Sequence, residues 1–413
     1  MTEVSVIKRN DEIANFLPEK IELAVSKANA RTNENISGKY HRIVEYVKDN
    51  LTPGRVSVDV IHELVENALM DVKAFDTARE YVSYRTSRKP DIFKERIAYK
   101  PVEYPSLLKY VDAMQQSYWI VSEFNFQKDI QEFKAQMPRV EREATRRSML
   151  AISQVEVAVK KFWTRIGDKM PKPELEEVGT SIGESEIRHS RAYSTLLELL
   201  GLNNEFEGIL EVPAIKKRVD YAQRVLKTSK GDTNKDYMEA ILLFSLFIEN
   251  VSLFSQFLII SQINKETGYL SGMSNVVAAT SLEEQLHAKF GAELINIIRS
   301  EHPDWFTKEL DERVHDLVDV SFDAEKGLVE WIFEHGDLGY LTTDEVVEYI
   351  KSRYNAGLED AGFSKHFDIE PHLLERVRWF DIQNNSTAHT DFFAQRSVNY
   401  TKGDQSFDED DLF

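Results

Sequence analysis

The sequence predicts a mostly α protein in which a bundle of long helices follows a small α+β domain. The chain has 17 Gly and 11 Pro among its 413 residues. Together they make up about 7% of the chain, well below the average usage of about 12% for these two residues. Apolar residues make up 42% of the chain, which is enough for a sizeable core. Beyond residue 106 apolar residues recur at helical spacing over long stretches, which is typical of a helical bundle.

The charge balance and the absence of cysteine exclude several classes of function. Acidic residues outnumber basic ones by 70 to 51, which gives a formal net charge of −19. The phosphates of nucleic acids repel such a polyanion, so nucleic-acid binding is disfavoured. Because the chain has no cysteine, disulfides, thiolate metal sites, iron–sulfur clusters and thiol nucleophiles are excluded. A metal must be held by carboxylate and imidazole, which suit iron, manganese or zinc.

Residues 1–88 predict a small α+β domain. The alternating stretch VSVIKR predicts a strand, Asn10 and Asp11 can form a turn, and EIANF can return as a second strand. Pro18 then opens a helical pattern, at the position where proline is favoured in a helix. Three more helical patterns follow, at GKYHRIVEYVKDNL, SVDVIHELVENALMDV and DTAREYVSYRTSR.

The rest of the chain divides into a linker, the bundle and a tail. Residues 89–105 carry three prolines without a clear period and predict a linker. Long helices are expected over residues 106–390. Residues 391–413 predict a flexible tail, since a polar stretch ends in an acidic cluster that is capped by Leu412 and Phe413.

One stretch, residues 240–263, is apolar enough to resemble a membrane span. It contains Glu249, Asn250 and two Gln, so a buried helix of a soluble protein is the better interpretation. The N-terminus lacks the apolar run of a signal peptide. We therefore expect a cytoplasmic protein with no membrane association.

Two helical patterns carry a glutamate and a histidine three residues apart. Glu186 and His189 form one pair, and Glu284 and His287 form the other. Residues at this spacing share a helix face, so each carboxylate and imidazole could hold one ion together. Either pair alone is a weak signal, because Glu-x-x-His also occurs by chance on solvated helices.

Two single glutamates complete the set. Glu156 lies on an apolar stripe with Trp163, and Glu249 lies in the very apolar helix, beside Leu246. Glu156 alone could equally be partly exposed or form a core salt bridge, but an ionised carboxylate among apolar groups is costly unless paired or coordinated. The order Glu, Glu-x-x-His, Glu, Glu-x-x-His is the ligand plan of di-iron and di-manganese carboxylate bundles. The sequence therefore predicts a dinuclear metal centre.

From about residue 106 onward the chain resembles the radical-generating β subunit of class I ribonucleotide reductase. The resemblance rests on WIVSEFNF, QVEVAVKKFW, ESEIRHSRAY, FIENVSLF, EEQLH and DFFAQRSVNY. It implies a ferritin-like bundle with metal ligands at the six positions above. It also implies that Tyr193 occupies the position of the radical tyrosine. The family often has Asp as its first ligand, where this chain has Glu156, which leaves room for a centre other than di-iron.

The resemblance further implies a long-range radical route to a separate catalytic α subunit. Trp119 matches the family's buried tryptophan, and His189 matches the metal-bound end of the route. Glu283 stands where the family usually has an Asp that bridges the histidine and the tryptophan. Tyr400 is the candidate for the mobile tyrosine of the tail. The alternatives are that Trp119 is simply an aromatic residue of the core and that Tyr400 is an ordinary residue of the tail.

The N-terminal domain resembles an ATP-cone, a nucleotide-sensing module. VIKRNDEIANF, KIELAVSKA, IHELVENALM and AREYVSYR carry this resemblance, although the usual Lys-Arg-Asp-Gly turn ends here in Asn10 and Asp11. Basic residues near a strand end and a helix N-terminus can hold a polyphosphate; an ordinary solvated basic turn is the alternative. The candidate nucleotide-binding residues are Lys8, Arg9, Lys20, His62, Arg88 and Lys89.

The resulting expectation is a ribonucleoside-diphosphate reductase β subunit with a fused ATP-cone. Its metal pair, dimanganese by resemblance or else di-iron, would pass an oxidising equivalent to the α subunit. ATP and dATP would act as effectors, with a homodimer that dATP pairs into a homotetramer. A stand-alone dimetal oxidase or oxygenase and a ferritin-like storage protein are the alternatives.

Overall fold

A computed structural model gives the architecture over residues 4–7, 13–87, 90–228 and 230–390. Side chains are described for these residues except 84, 86–87, 155–161, 225–226, 228 and 385–390. The contacts divide the chain into two compact units. One comprises Met1–Asp91 with Pro101–Pro105, and the other comprises Ile92–Lys100 with Ser106–Phe413.

The N-terminal unit combines a small sheet with four helices. Its elements are β1 (Val4–Ile7), β2 (Ile13–Asn15), α1 (Pro18–Asn29), the 3₁₀ turn Ser37–Lys39, α2 (Tyr40–Asn50), β3 (Gly54–Ser57), α3 (Val58–Asp71) and α4 (Phe75–Ser87). The strand order is β2-β1-β3, with β1 antiparallel to β2 and parallel to β3. The sequence predicted the first two strands and the four helices but not β3.

The core of this unit explains its helices. Each helix turns a periodic apolar face inward, as Val25 of α1, Val47 of α2 and Val65 of α3 show. Strand β3 is short and only Val56 in it is buried, so its sequence lacks the alternation that marks longer strands. Ser57 then accepts a hydrogen bond from the Val60 amide and caps α3.

The second unit is a bundle of long helices. Its α-helices are α5 (Leu108–Gln116), α6 (Gln127–Gln131), α7 (Arg139–Trp163), α8 (Pro173–Leu200), α9 (Asn203–Glu207), α10 (Pro213–Thr228), α11 (Asn234–Leu243), α12 (Phe254–Thr267), α13 (Ser271–Glu301), α14 (Lys308–Ile332), α15 (Thr343–Asp360), α16 (Pro371–Leu374) and α17 (Arg378–Thr390). Shorter helical turns lie at Pro105–Leu107, Val121–Glu123, Glu132–Gln136, Ile166–Asp168, Ile209–Glu211 and Pro303–Trp305.

A wide-turn helix, Phe244–Ser252, connects α11 to α12, and we call it the π segment. Together they form the apolar stretch Asn234–Thr267, which is long enough to cross a membrane by composition. Its most apolar window is entirely buried inside the fold, so it is a core helix. Short π-helical stretches are often found at functional sites, and this one carries Glu249.

Four helical elements surround the interior of the bundle. Helix α7 packs against α8, and α13 packs against α8 and the π segment. The N-terminus of α13 is fixed by Asp129, which accepts hydrogen bonds from the amides of Gly272 and Met273. These elements are the ones on which the sequence places the candidate ligands.

Candidate metal centre

The two Glu-x-x-His pairs meet in the interior of the bundle. Glu186 and His189 lie on α8, and Glu284 and His287 lie on α13. All four side chains are essentially inaccessible to solvent. Their ligand atoms turn toward one another because each pair occupies the inward face of its helix.

The two carboxylates each reach both histidines. Glu186 places Oε2 3.5 Å from Nδ1 of His189 and Oε1 3.1 Å from Nδ1 of His287. Glu284 places Oε1 3.0 Å from Nδ1 of His189 and Oε2 3.4 Å from Nδ1 of His287. Each of these carboxylates could therefore offer an oxygen to a cation held by either imidazole.

The outer nitrogen of each histidine, Nε2, has a hydrogen-bond partner of its own. His189 directs Nε2 at a carboxylate oxygen of Glu283, 2.8 Å away, so this nitrogen donates its proton there. Ser185 donates its hydroxyl to the Ile182 carbonyl and accepts from Nε2 of His287, 3.0 Å away. Nδ1 is therefore the nitrogen that faces the centre on both rings and, once deprotonated, could bind a metal ion, as in metal-bound histidines with outer hydrogen-bond partners.

Buried polar atoms without partners test whether metal ions fit here. Within the described residues, the facing atoms make no hydrogen bond of acceptable direction: both oxygens of Glu186 and Glu284, Oε2 of Glu249, and Nδ1 of His189 and His287. Buried polar groups are ordinarily hydrogen-bonded, and an unsatisfied one is costly. Convergent oxygen and nitrogen donors of this kind suit iron or manganese, so the residues fit the predicted centre.

The pKa values of the two histidines also indicate a centre that favours bound positive charge. Burial opposes a charged imidazole, but the carboxylates of Glu186, Glu283 and Glu284 outweigh it and raise the pKa of His189 well above its usual range. The pKa of His287 is raised in the same way, by Glu186, Glu249 and Glu284. The metal-free centre therefore retains protons to offset its negative charge, and metal binding would release them.

Glu249 approaches the centre from the π segment. Its Oε2 lies 3.6 Å from Nδ1 of His287, and its ligand atoms lie with those of Glu186, Glu284 and His287 within 4.8 Å of one another. Burial raises the pKa of Glu249 well above its usual range. The indole of Trp163 donates to Oε1 of Glu249 at 2.5 Å, a contact that the sequence did not predict.

The remaining predicted ligand, Glu156, lies within α7. Its side chain is outside the described residues, so its place in the ligand set stays a prediction.

A hydrogen-bonded chain leaves the centre on the side of His189. Glu283 accepts from Nε2 of His189 at 2.8 Å and from the indole nitrogen of Trp119 at 3.1 Å with the same oxygen, Oε2. The rings of Trp119 and His189 stack with their centroids 5.9 Å apart. Glu283 thus bridges the histidine and the tryptophan, and all three side chains are buried.

Arg188 holds Glu283 from the other side. Its guanidinium donates to Oε1 and Oε2 of Glu283 at 3.0 and 3.2 Å, a bidentate pairing that fixes the carboxylate plane. Burial favours protonation, but His189 and Arg188 outweigh it and lower the pKa of Glu283. Sequence reasoning missed Arg188, although it lies between the two residues of the first Glu-x-x-His pair.

Comparison with known families identifies the chain. Residues 96–373 match the family described as ribonucleotide reductase, small chain, and residues 4–90 match the ATP cone domain. The chain belongs to the ribonucleotide reductase small-chain family. It is thus the small subunit of a ribonucleoside-diphosphate reductase, an enzyme in which it works with a large subunit, and the resemblance seen in the sequence is confirmed.

Known relatives and structures agree with this identification. A probable ribonucleoside-diphosphate reductase small subunit of Invertebrate iridescent virus 3 is 24% identical, over 75% of this chain and 86% of that protein. The ribonucleotide reductase R2 subunit of Clostridium botulinum superposes with a TM-score of 0.63 at 18% identity, over 70% of this chain and 91% of that one. An R2-like ligand-binding oxidase with a Mn/Fe cofactor has a TM-score of 0.55 at 17% identity, over 64% of this chain and 94% of that one. The ferritin-like fold is confirmed.

The two tyrosines predicted to take part in radical chemistry are Tyr193 and Tyr400. Tyr193 is buried on α8, about one turn beyond His189. Tyr400 lies outside the described residues, so its role stays a prediction.

The nucleotide-binding candidates are described only in part. Lys20 is exposed in the first turn of α1. His62 lies half-buried on α3, with Nδ1 2.8 Å from the hydroxyl of Tyr81. The remaining candidates are outside the described residues: Lys8, Arg9, Arg88 and Lys89. Their grouping around a nucleotide therefore stays a prediction.

Proposed function

We propose that this small chain holds a redox-active metal pair and delivers an oxidising equivalent to a cysteine of the large subunit, which reduces ribonucleotides to deoxyribonucleotides. The observation that carries the proposal is the chain from His189 through Glu283 to Trp119. This chain supports a route for electron transfer, because its hydrogen bonds join the candidate metal ligand His189 to the indole of Trp119 without interruption. Since the chain has no cysteine, nucleotide reduction needs the partner.

The residues of the centre have distinct roles in this proposal. Glu186, His189, Glu284 and His287 hold the two ions, and Glu156 and Glu249 complete the ligand set. When bound, the metal pair supplies a one-electron oxidant after reaction with oxygen or a reduced oxygen species. Within the buried centre Tyr193 is a second place at which the oxidant could be stored.

Glu283 has the task of coupling electron and proton movement. It accepts hydrogen bonds from Trp119 and His189, and Arg188 keeps it ionised. An ionised acceptor beside the indole can take the indole proton when Trp119 loses an electron. The route then continues to Tyr400 in the tail and to the large subunit.

We propose manganese as the metal, with a di-iron centre as the alternative. The oxygen and nitrogen donors accept both metals, and the resemblance of small chains with fused ATP-cones favours a manganese pair. A related fold that holds Mn/Fe supports manganese as well. Element analysis together with electron paramagnetic resonance on protein loaded with each metal tests this choice.

The tail provides the test of the partnership. Deleting residues 399–413 should leave metal loading intact and abolish reductase activity of the mixed complex with the large subunit. The reason is that this polar segment with an apolar tip carries Tyr400. Full activity of the shortened chain would show that the tail is neither the docking segment nor part of the route.

The proposed place of action of the complex is the cytoplasm.

A stand-alone oxidase is the second candidate function, because the fold is similar to an R2-like ligand-binding oxidase. Such an enzyme would act without a large subunit. If the metal-loaded chain oxidised an apolar ligand by itself, and gave no reductase activity with the large subunit, the oxidase function would replace the first proposal.

The N-terminal module is proposed to regulate the subunit through nucleotide binding. ATP and dATP compete for it, and dATP pairs two homodimers into a homotetramer that hides the face for the large subunit. A shift from mostly dimer to mostly tetramer needs a preference of about 10²- to 10⁴-fold for one state.

Light scattering of the metal-loaded chain with ATP, with dATP and with neither tests the regulation. The control is a chain that begins near residue 100. We expect dATP to double the mass of the full-length protein only. An unchanged mass, or an equal response of the shortened chain, would contradict the regulatory proposal and leave the redox proposal intact.

A further inference from the structure

Arg353 lies on α15 in the interior of the bundle, 6% exposed, and has no place in the function proposed above. Its Nε donates to the backbone carbonyl of Asn250 at 2.9 Å, and its Nη2 donates to Oδ1 of Asn250 at 2.9 Å. Asn250 returns a hydrogen bond from Nδ2 to the carbonyl of Arg353 at 2.7 Å. Three hydrogen bonds thus join α15 to the π segment.

The same guanidinium reaches a second ligand-bearing helix. Nη1 of Arg353 donates to Oε1 of Gln285 on α13 at 3.0 Å. Asn250 directly follows Glu249, and Gln285 directly follows Glu284. One side chain therefore bonds to the residue that follows a candidate ligand on each of two elements.

The surroundings of Arg353 hold its guanidinium in one orientation. The group lies over the ring of Phe254, 3.6 Å from the centroid, and the nearest described carboxylate oxygen paired with it, from Asp381, is 4.0 Å from Nη1. An arginine fork is planar and rigid, so several simultaneous hydrogen bonds fix the relative position of their acceptors. The contacts of Arg353 therefore fix the distance between Asn250 and Gln285 and do not form a simple ion pair.

Gly357 allows the close approach on which these bonds depend. It lies one turn beyond Arg353 on the same face of α15. A Cβ at this position would lie 2.4 Å from Nδ2 of Asn250 and 2.8 Å from Cδ1 of Leu246. A side chain there would push the π segment away from α15. The close contact between the two elements therefore requires a glycine at this position.

We infer that Arg353 is a positioning residue of the metal centre, one that fixes the spacing between the carboxylates of Glu249 and Glu284. The inference rests on the proposed dimetal site. Adjacent residues share a backbone, so a displacement of Asn250 or Gln285 displaces the neighbouring ligand. Metal coordination accepts distance errors of only about 0.2 Å, so small displacements matter. The competing explanation is a cross-link that stabilises the bundle without affecting the centre.

The test compares Arg353→Gln with a matched control, Arg147→Gln. Arg147 is equally buried, donates to the backbone carbonyl of Trp331 and lies over its ring. Its guanidinium also pairs with Glu334, and these contacts lie away from the residues that follow the ligands. Each full-length metal-free variant is titrated with Mn²⁺, and free Mn²⁺ is followed by electron paramagnetic resonance. The melting temperature of each metal-free variant is recorded in parallel.

We expect Arg353→Gln to lower Mn²⁺ affinity up to about 10-fold, the lower end of the loss of about 10- to 100-fold seen for side chains that hydrogen-bond a ligand directly, because Arg353 acts through the neighbouring residues Asn250 and Gln285. Arg147→Gln should change affinity far less at a comparable loss of melting temperature. The spectrum of the bound manganese pair should also change in Arg353→Gln, since the spacing of the ligands changes. Arg353→Lys, which retains one donor, should recover part of the affinity.

Two further variants decide the question if Arg353→Gln does not fold. Gln285→Leu removes only the link to α13, and Gly357→Ala displaces only the π segment. Each should weaken Mn²⁺ binding while the metal-free fold is retained. Wild-type affinity in both variants, or equal losses in Arg353→Gln and Arg147→Gln, would overturn the inference. If the unmodified chain bound no metal pair, the proposed function itself would fail, and the two failures are therefore distinguishable.

Discussion

Glu249 and Glu283 are both buried glutamates that accept a hydrogen bond from a tryptophan indole, but their environments differ. Trp163 donates to Glu249 and Trp119 donates to Glu283. Glu283 is also held by the guanidinium of Arg188. For Glu249 the neighbouring described charges are the other carboxylates and the imidazole of His287.

The difference appears in the opposite protonation tendencies of the two groups. Burial dominates at Glu249 and raises its pKa, whereas Arg188 and His189 overcome burial at Glu283 and lower its pKa. A buried carboxylate with its own protein cation is satisfied without a metal and can serve as a relay. A buried carboxylate without one needs a proton or a metal ion. The two environments thus distinguish the proposed ligand, Glu249, from the proposed relay residue, Glu283.

Replacing Glu249 by Ala should have the largest effect on the metal centre. We expect loss of the dimetal site, because a ligand is removed, with the metal-free fold retained or stabilised since an unpaired buried carboxylate is unfavourable. Metal analysis and thermal unfolding of the metal-free protein measure both effects. The control is Glu330→Ala, which alters a half-exposed residue on α14. Two tightly bound ions in Glu249→Ala would show that Glu249 is not a ligand.

Replacing Glu283 by Gln should weaken metal binding without abolishing it. The substitution removes the charged acceptor of His189, so we expect a loss of about 10- to 100-fold in metal affinity. Ser185→Ala is the matched change at His287. It should cost at most about tenfold, because a neutral hydrogen bond contributes about 0.5–1.5 kcal/mol. Equal losses at the two histidines would contradict the assigned asymmetry.

Replacing Trp163 by Phe should have the smallest effect on function. It leaves Oε1 of Glu249 without its donor, which should cost about 1–3 kcal/mol in the free energy of unfolding of the metal-free protein. Reductase activity per bound metal should be retained, because Trp163 lies outside the proposed route. Denaturant unfolding and an assay of the mixed complex, normalised to metal content, measure the two quantities.

Much of the metal centre could be predicted because burial makes carboxylates conspicuous. Glu249 lies in so apolar a stretch that its charge demands a partner, and the spacing of Glu186 with His189 is set by the helix repeat. The structure brings Glu186, Glu249 and Glu284 together with His287 around one point. Trp163 was assigned only to an apolar stripe, because a sequence does not show which indole faces a carboxylate.

Contacts between elements that are distant in sequence could not be predicted. Arg353 follows Asn250 by 103 positions, and nothing in its local pattern marks it as different from other arginines. Strand β3 is short and takes its register from β1 rather than from its own alternation. In the N-terminal module the basic candidates are a weaker signal than the ligands, since an exposed cation carries no burial cost. Lys8 and Arg9 therefore depend on family resemblance.

The central claim is that the oxidising equivalent leaves the centre through Glu283 and Trp119. The most direct test measures nucleotide reduction by the large subunit with metal-loaded Trp119→Phe, and with Trp163→Phe as its control. Both variants remove one indole donor from one buried glutamate. The account predicts that Trp119→Phe binds both metal ions yet reduces no nucleotide, while Trp163→Phe stays active per bound metal. Reductase activity in Trp119→Phe equal to that of Trp163→Phe would contradict it.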